Sequence, residues 1–183
     1  MTKKYWMFAA LPMFCVACAG SQSEQVRDNR MERIEQTADR QMEGVEQRAD
    51  QKQEMVEKNY EAQKEAVTAS DTPSAERSGE MLDLAKERSD YQVKTRAELD
   101  KLGVRIQAAQ EKANVLGAKA SAPLKQEISV LSKEQATLQE NLAEMTEAAP
   151  ANWEASKAKM DDRISALDTR IDKVASQIDD ASS

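Results

Sequence analysis

The chain contains no histidine. The commonest general base and metal ligand is therefore missing, and no Cys/His metal site can be assembled. Its two cysteines, Cys15 and Cys18, both lie near the start, so the rest of the chain can hold no disulfide framework. Aromatics are scarce as well. Tyr5, Trp6, Phe8 and Phe14 fall in the opening segment, and only Tyr60, Tyr91 and Trp153 follow. A wide globular core is normally built from large apolar and aromatic side chains, so this is a poor recipe for one. The five glycines, Gly20, Gly44, Gly79, Gly103 and Gly117, stand singly, and none forms a phosphate-cradling loop. No spacing of oxygen ligands resembles a calcium loop. The paired carboxylates Asp161-Asp162 and Asp179-Asp180 read as solvated helix faces or ends. The sequence therefore leads us to expect no catalytic, cofactor-binding or metal-binding residue and no enzymatic activity. A net charge of −7, with no basic patch among aromatics, argues against nucleic acid as a partner. Nothing points to a small-molecule substrate either.

What the chain has is charge on a ruler. The acids Glu24, Asp28, Glu32, Glu35, Asp39, Glu43, Glu46, Asp50, Glu54, Glu57, Glu61 and Glu65 step by 4, 4, 3 without a miss. This is an eleven-residue repeat, and segments 31–41, 42–52 and 53–63 stack on it. Three helical turns per repeat keep one stripe straight along an α-helix, or give paired helices a slight right-handed wind. One residue before the acids runs an apolar stripe: Met31, Ile34, Ala38, Met42, Val45, Ala49, Val56 and Tyr60. Gln53 and Lys64 interrupt it. Arg30, Arg33, Arg48 and Lys52 line its other flank. Edges of opposite charge can pair with neighbouring helices. Met31, Met42 and Met55 are expected as seam filler, and Gly44 weakens the helix locally by up to about 1 kcal/mol.

Prolines punctuate the remainder. Pro73, within Ser70-Asp71-Thr72-Pro73-Ser74, ends the array, and a second helix is expected from Ser74 or Ala75. The apolar spacing then shifts toward seven. Leu99, Leu102, Ile106, Ala109, Ala113, Leu116 and Ala120 step by 3 and 4. Leu124, Ile128, Leu131, Leu138, Leu142 and Met145 follow Pro123. Trp153, Met160, Ile164, Leu167, Ile171, Val174 and Ile178 follow Pro150. These are coiled-coil seams. The segment 148–152 is a clear break, with Asn152 placed as an N-cap. Pro123 is either part of a tight turn or a kink in one long helix. The fold class is all-α: a long eleven-residue-repeat helix, then an antiparallel helical hairpin or a three-helix coiled-coil bundle. The near-equal lengths of 95–120, 124–148 and 152–178 favour an up-down-up bundle. Trp153 is expected to pack over a hairpin end.

Residues 1–17 read as an export signal. Lys3 and Lys4 precede the uncharged, mostly apolar run Tyr5–Ala17, which is too short to span a bilayer. Val16-Ala17-Cys18 resembles a bacterial lipobox, although Cys15 stands where an aliphatic residue is usual. The resemblance implies lipidation of Cys18, typically including palmitate. Ala17-Cys18-Ala19 also fits ordinary signal cleavage of a secreted protein. Cleavage before Cys18 removes Lys3 and Lys4 from the 26 basic side chains, leaving 24 against 33 acids and a net charge of −9. Ala19 follows the cysteine, where aspartate would hold such a protein at the inner membrane. By analogy, this favours the outer membrane, facing the periplasm.

Residues 97–175 resemble small bacterial coiled-coil proteins often labelled stress-response proteins. The likeness rests on residues 97–102, the run from Ile106 to Ala120, Ile128 to Leu131, Leu138, Leu142 and Trp153-Glu154. It implies architecture and little else. The array is similar to the repeats of apolipoproteins and synucleins only in period. Those helices usually carry lysines where they meet headgroups; this one carries acids. An acylated cysteine before a long helix also resembles the murein lipoprotein. That protein ends in a lysine used for attachment to peptidoglycan, and the stretch Asp179-Asp180-Ala181-Ser182-Ser183 does not carry that chemistry over.

The organisation expected is a signal peptide at 1–17, a lipidated cysteine and tether at 18–25, a helical stalk at 26–69, a linker at 70–74 and a helical bundle at 75–183. The function expected is that of a non-enzymatic envelope lipoprotein acting as a helical spacer or protein-interaction module. It would be bound to membrane through its lipid, and its partner would be an envelope protein or a second copy. The alternative is a peripheral lipid-binding or stress-protective protein whose amphipathic array lies on a membrane. The acid stripe counts against that reading where lipids are anionic.

Overall fold

The structure, a computed structural model, describes residues 19–68, 73–145 and 152–182, and among these it is all-α. Four helices follow in order: α1 (Ala19–Thr68), α2 (Pro73–Leu116), α3 (Ala122–Met145) and α4 (Trp153–Ser182). The signal segment and Cys18 lie outside the described residues, as do 69–72 and 146–151. Helix α1 begins at Ala19, so residues 19–25, read above as a tether, form its first turns. Gln, Glu and Ala there are good helix formers, and the small polar character taken for a tether does not oppose a helix. Pro73 is the first residue of α2, one position ahead of the expected start. Proline is well suited to that place, because its missing N–H would have no intrahelical partner.

Helices α2, α3 and α4 form the up-down-up bundle. Lys125 of α3 donates to the Gly117 carbonyl just past α2, and ten residues on Gln135 donates to the Leu99 carbonyl at 3.0 Å, so α3 runs antiparallel to α2; Gln139 adds a bond to Asp100. Tyr91 meets Asp161, and Arg105 meets Asp168 and Asp172, so α4 runs parallel to α2. All three heptad seams converge on one core. Leu99, Leu138, Leu167 and Ile178 are fully enclosed within it. Gln135 occupies the seam position between Leu131 and Leu138. It fits because Gly103 opposite has no side chain: a Cβ there would come within 3.1 Å of the amide nitrogen.

Pro123 lies in the first turn of α3, directly after a tight turn, and does not kink one long helix. Helix α2 stops at Leu116, Gly117 adopts a left-handed φ of 60°, and its N–H donates to the Asn114 carbonyl at 3.2 Å. The Lys119 N–H donates to the Leu116 carbonyl, and the Lys125 ammonium donates to the Gly117 carbonyl at 2.8 Å. Ser121 then caps α3, its Oγ accepting the Leu124 N–H at 3.3 Å. This glycine contrasts with Gly44, which sits inside α1 with open space around its missing Cβ. Gly117→Ala is expected to lower stability by about 1–2 kcal/mol, the cost of placing an L side chain at that φ. Gly44→Ala should raise stability by up to about 1 kcal/mol. Urea unfolding followed by circular dichroism measures both, and the two changes should have opposite signs.

Helix α1 folds back on α2. Gln53 donates to Asp90 at 2.6 Å and Tyr60 to Asp83 at 2.6 Å, so the pair is antiparallel along its length. The array read as a stalk is thus one arm of a hairpin, and its backbone closely approaches no other described helix. Its stripe faces inward: Ala38 and Val45 are buried, and Met31, Ile34, Met42, Ala49, Val56 and Tyr60 are half-buried. Met31 reaches the bundle core. Met55 departs from expectation, being 57% exposed. It takes the repeat position of Arg33 and Gly44, on the flank turned away from α2.

The receiving face on α2 carries an eleven-residue repeat of its own. Leu82, Val93, Val104 and Val115 are spaced by eleven and are all half-buried. Helix α2 is therefore two-faced, with one seam of period seven toward α3 and α4 and one of period eleven toward α1. Matched eleven-residue stripes let two helices stay in contact while remaining nearly straight. Trp153, at the start of α4, lies level with Glu87, to which its indole donates at 3.2 Å. Leu84 still packs against the bundle core, and the hairpin residues beyond it, 73–83 on α2 and their α1 partners, project past the bundle. At 1.5 Å per residue the projection is about 15 Å.

Candidate functional site

The eleven-residue acid stripe has a structural use at one position in each repeat. Glu35, Glu46 and Glu57 are spaced by eleven and are bridged by Lys112, Lys101 and Lys86 of α2. The Lys101 contact is 3.5 Å and the Lys86 contact is 2.8 Å. Lys86 also pairs with Asp90 at 2.8 Å. That hydrogen bond, followed by the one to Glu57, pushes its pKa well above the usual lysine range. On the far side of the same α2 shoulder, Arg105 is held by Asp168 and Asp172 of α4. Lys86, Lys101 and Lys112 thus face an acidic wall on α1, and Arg105 faces another on α4. Partial burial and the nearby Asp161 and Asp168 push the Glu98 carboxyl up, as expected where carboxylates crowd. Exposed pairs of this kind each stabilise by at most about 1 kcal/mol. Their regular spacing matters more, because it sets the register of α1 on α2.

The opposite shoulder of the hairpin is different. Arg48 and Lys52 of α1 and Arg96 of α2 border a groove of about 360 Å³ floored by Val45, Val93 and Ala97. None of these three cations has an ion pair among the described residues. Arg48 instead donates to the carbonyl of Gly44 in its own helix at 2.9 Å. The interruptions in the apolar stripe are also accounted for. Gln53 turns to Asp90, and the Lys64 ammonium lies 5.2 Å from the Tyr60 ring centroid.

An aromatic cluster closes the end of the bundle where α4 begins. Trp153 is 2% exposed, so it packs as the sequence suggested and presents no binding face. Tyr91 meets it edge-on with centroids 5.4 Å apart, and the Arg88 guanidinium lies 5.2 Å from its ring centroid. Hydrogen bonds from Lys157 and then from Trp153 hold the Glu87 carboxyl below its usual range. Burial, and then the hydrogen bond to Asp161, push the Tyr91 phenol well above its usual range. The folded state therefore keeps a proton that the unfolded chain loses above about pH 10. Tyr91 favours folding fully below that pH and progressively less above it. Alkaline titration should show phenolate absorbance from Tyr91 only at higher pH than in the urea-unfolded chain. The melting temperature should fall above about pH 10, and less steeply for Tyr91→Phe.

At the opposite end, Arg27 donates to the Ser182 carbonyl at 3.3 Å, tying the start of α1 to the end of α4. A cleft of about 720 Å³ opens there between α3 and α4, bordered by Lys119, Pro123, Arg170, Lys173 and Asp180. Arg170 is already engaged by Glu127, at 2.8 Å, and by Glu134. Among the described residues no group of three or more His, Cys, Asp or Glu could hold a metal ion, and no helix is long and apolar enough to cross a membrane. Cys18, the one site residue named from the sequence, lies outside the described residues. It directly precedes Ala19, the first residue of α1, about two helical turns before Arg27, which meets the end of α4. Sequence reasoning missed the lysine ladder and the groove. Lys101 and Lys112 are spaced by eleven, which was the available signal. No family model matches the chain, and no curated protein or solved structure matches it.

Proposed function

We propose that this chain is a non-enzymatic cell-envelope lipoprotein, anchored through Cys18 at the outer membrane and facing the periplasm. Its helical hairpin and bundle act as a spacer and protein-interaction module. The observation that carries this reading is Val16-Ala17-Cys18 at the end of the apolar run Tyr5–Ala17, followed at once by α1 from Ala19. A lipid on Cys18 would place one end of the bundle at the membrane. The far end of the α1–α2 hairpin would then stand on the order of 70 Å away, at 1.5 Å per residue. The projecting part of the hairpin would be the element farthest from the lipid, where a partner across the envelope could meet it. From the resemblance to coiled-coil stress-response proteins we carry over only the architecture.

The competing lipid-surface reading asks the α1 stripe to face a membrane. That stripe is half-buried against α2, so α1 would first have to leave its partner helix. Cys18→Ala tests the proposal directly. The variant should lose fatty-acid labelling and move from the membrane to the soluble fraction. Unchanged labelling and retention would sink the lipoprotein reading. A gain of helicity on adding anionic vesicles, with loss of the α1–α2 contact, would favour the lipid-surface reading.

A further inference from the structure

We propose that the basic shoulder of the α1–α2 hairpin is a docking groove for the acid edge of α1 from a second copy, so that copies associate side by side. The cations of the hairpin divide into two sets. Lys86, Lys101 and Lys112 are committed to Glu57, Glu46 and Glu35. Arg48, Lys52 and Arg96 border an apolar-floored groove and have no ion pair among the described residues. The groove's one acid, Asp100, accepts a hydrogen bond from Gln139, so in a chain of net charge −7 three cations without an ion pair outnumber it and select an acidic occupant. On α1, Asp39, Glu43, Asp50 and Glu61 form the complementary surface. They are exposed, also lack ion pairs among the described residues, and continue the 4, 4, 3 spacing.

Shape agrees with charge. The groove lies between two helices in contact through stripes of period eleven, so it runs nearly straight. An α1 helix built on the same period keeps its acid edge straight over the same length. The groove and the acid edge lie on opposite flanks of α1, so the contact joins unlike surfaces and leaves one of each free on every pair. Such heterologous contacts propagate into rows or rings. The interaction does not require the lipid, so failure of the anchoring proposal would leave this one standing.

The test uses the full chain carrying Cys18→Ala, so that acylation cannot drive association. Sedimentation velocity should show concentration-dependent association at low salt, with the species dissociating in about 0.5 M salt as the charges are screened. The set Arg48→Glu, Lys52→Glu, Arg96→Glu should be monomeric. So should the set Asp39→Lys, Glu43→Lys, Asp50→Lys, which leaves the structural acids Glu35, Glu46 and Glu57 in place. Mixing the two sets should restore association, because each supplies the surface that the other lacks. Circular dichroism checks that both are folded. The milder Arg48→Gln, Lys52→Gln, Arg96→Gln set, which adds no repulsion, should weaken wild-type association by about tenfold. A wild-type chain that stays monomeric at low salt overturns the proposal. Association that survives either charge set also overturns it, as does a monomer that binds polyglutamate through these three cations.

Discussion

Replacing Trp153 with Ala should destabilise the protein by about 3–5 kcal/mol, the range for removing a large aromatic from a packed core. The indole is 2% exposed at the end of the bundle where α4 begins. Its removal would leave a cavity at the meeting of α2 and α4, end the edge-on contact with Tyr91, and uncover the face on which Arg88 rests. It also takes one hydrogen bond from Glu87, which Lys157 still holds at 2.8 Å. Small domains are typically stable by only about 5–15 kcal/mol, so the loss is a large share of the total. Trp153→Phe keeps most of the apolar volume and should cost clearly less. Urea unfolding followed by helical circular dichroism measures both variants. A loss below about 1 kcal/mol for Trp153→Ala would mean that the aromatic cluster does not close the bundle.

The second large effect concerns how α1 is held. Ile34, Val45 and Val56 occupy the same place in three successive repeats; Val45 is buried and the other two are half-buried. Changing all three to Ser should cost about 3 kcal/mol in total, at roughly 1 kcal/mol for each truncation on a partly exposed seam. The loss should be local. The core of the bundle is made by α2, α3 and α4, with Met31 as the contribution from α1. Helix α1 should therefore detach while the three-helix bundle stays folded. Hydrogen exchange would show this as lost protection over 24–68, with protection kept over 99–116, 124–145 and 153–178. Equal loss of protection in all four helices would show that α1 and the bundle fold as one unit. No loss anywhere would assign the holding of α1 to the lysine ladder alone. High salt would then detach it in the wild-type chain.

The amino-acid sequence by itself determined the faces. Its 3, 4 steps named the seams that form the bundle core, including the isolated Trp153, because helical period alone dictates which side chains share a side. It also showed the straight stripe of α1 and the break after the array, since Pro and turn chemistry act locally. The lipidation candidate Cys18 was legible as a motif, and it precedes the described residues.

Only tertiary structure decided which face meets which. The sequence left Pro123 as either turn or kink. The turn was settled by the left-handed Gly117, the Ser121 cap and the antiparallel contact of α2 with α3. The partner of α1 could not be read from α1, because an apolar stripe specifies that something must cover it and not what. The covering stripe Leu82, Val93, Val104 and Val115 was hidden in the sequence. It shares α2 with a stronger heptad seam, and lysines separate its apolar members. The same holds for charge. Spacing announced a continuous acid edge, but the division between Glu35, Glu46 and Glu57, spent on α2, and the acids left exposed beside them depends on the antiparallel register of the two helices. Local periodicity is written residue by residue. Pairing is a choice among several compatible faces, made by the turns and by the energy of the surfaces once they are in contact.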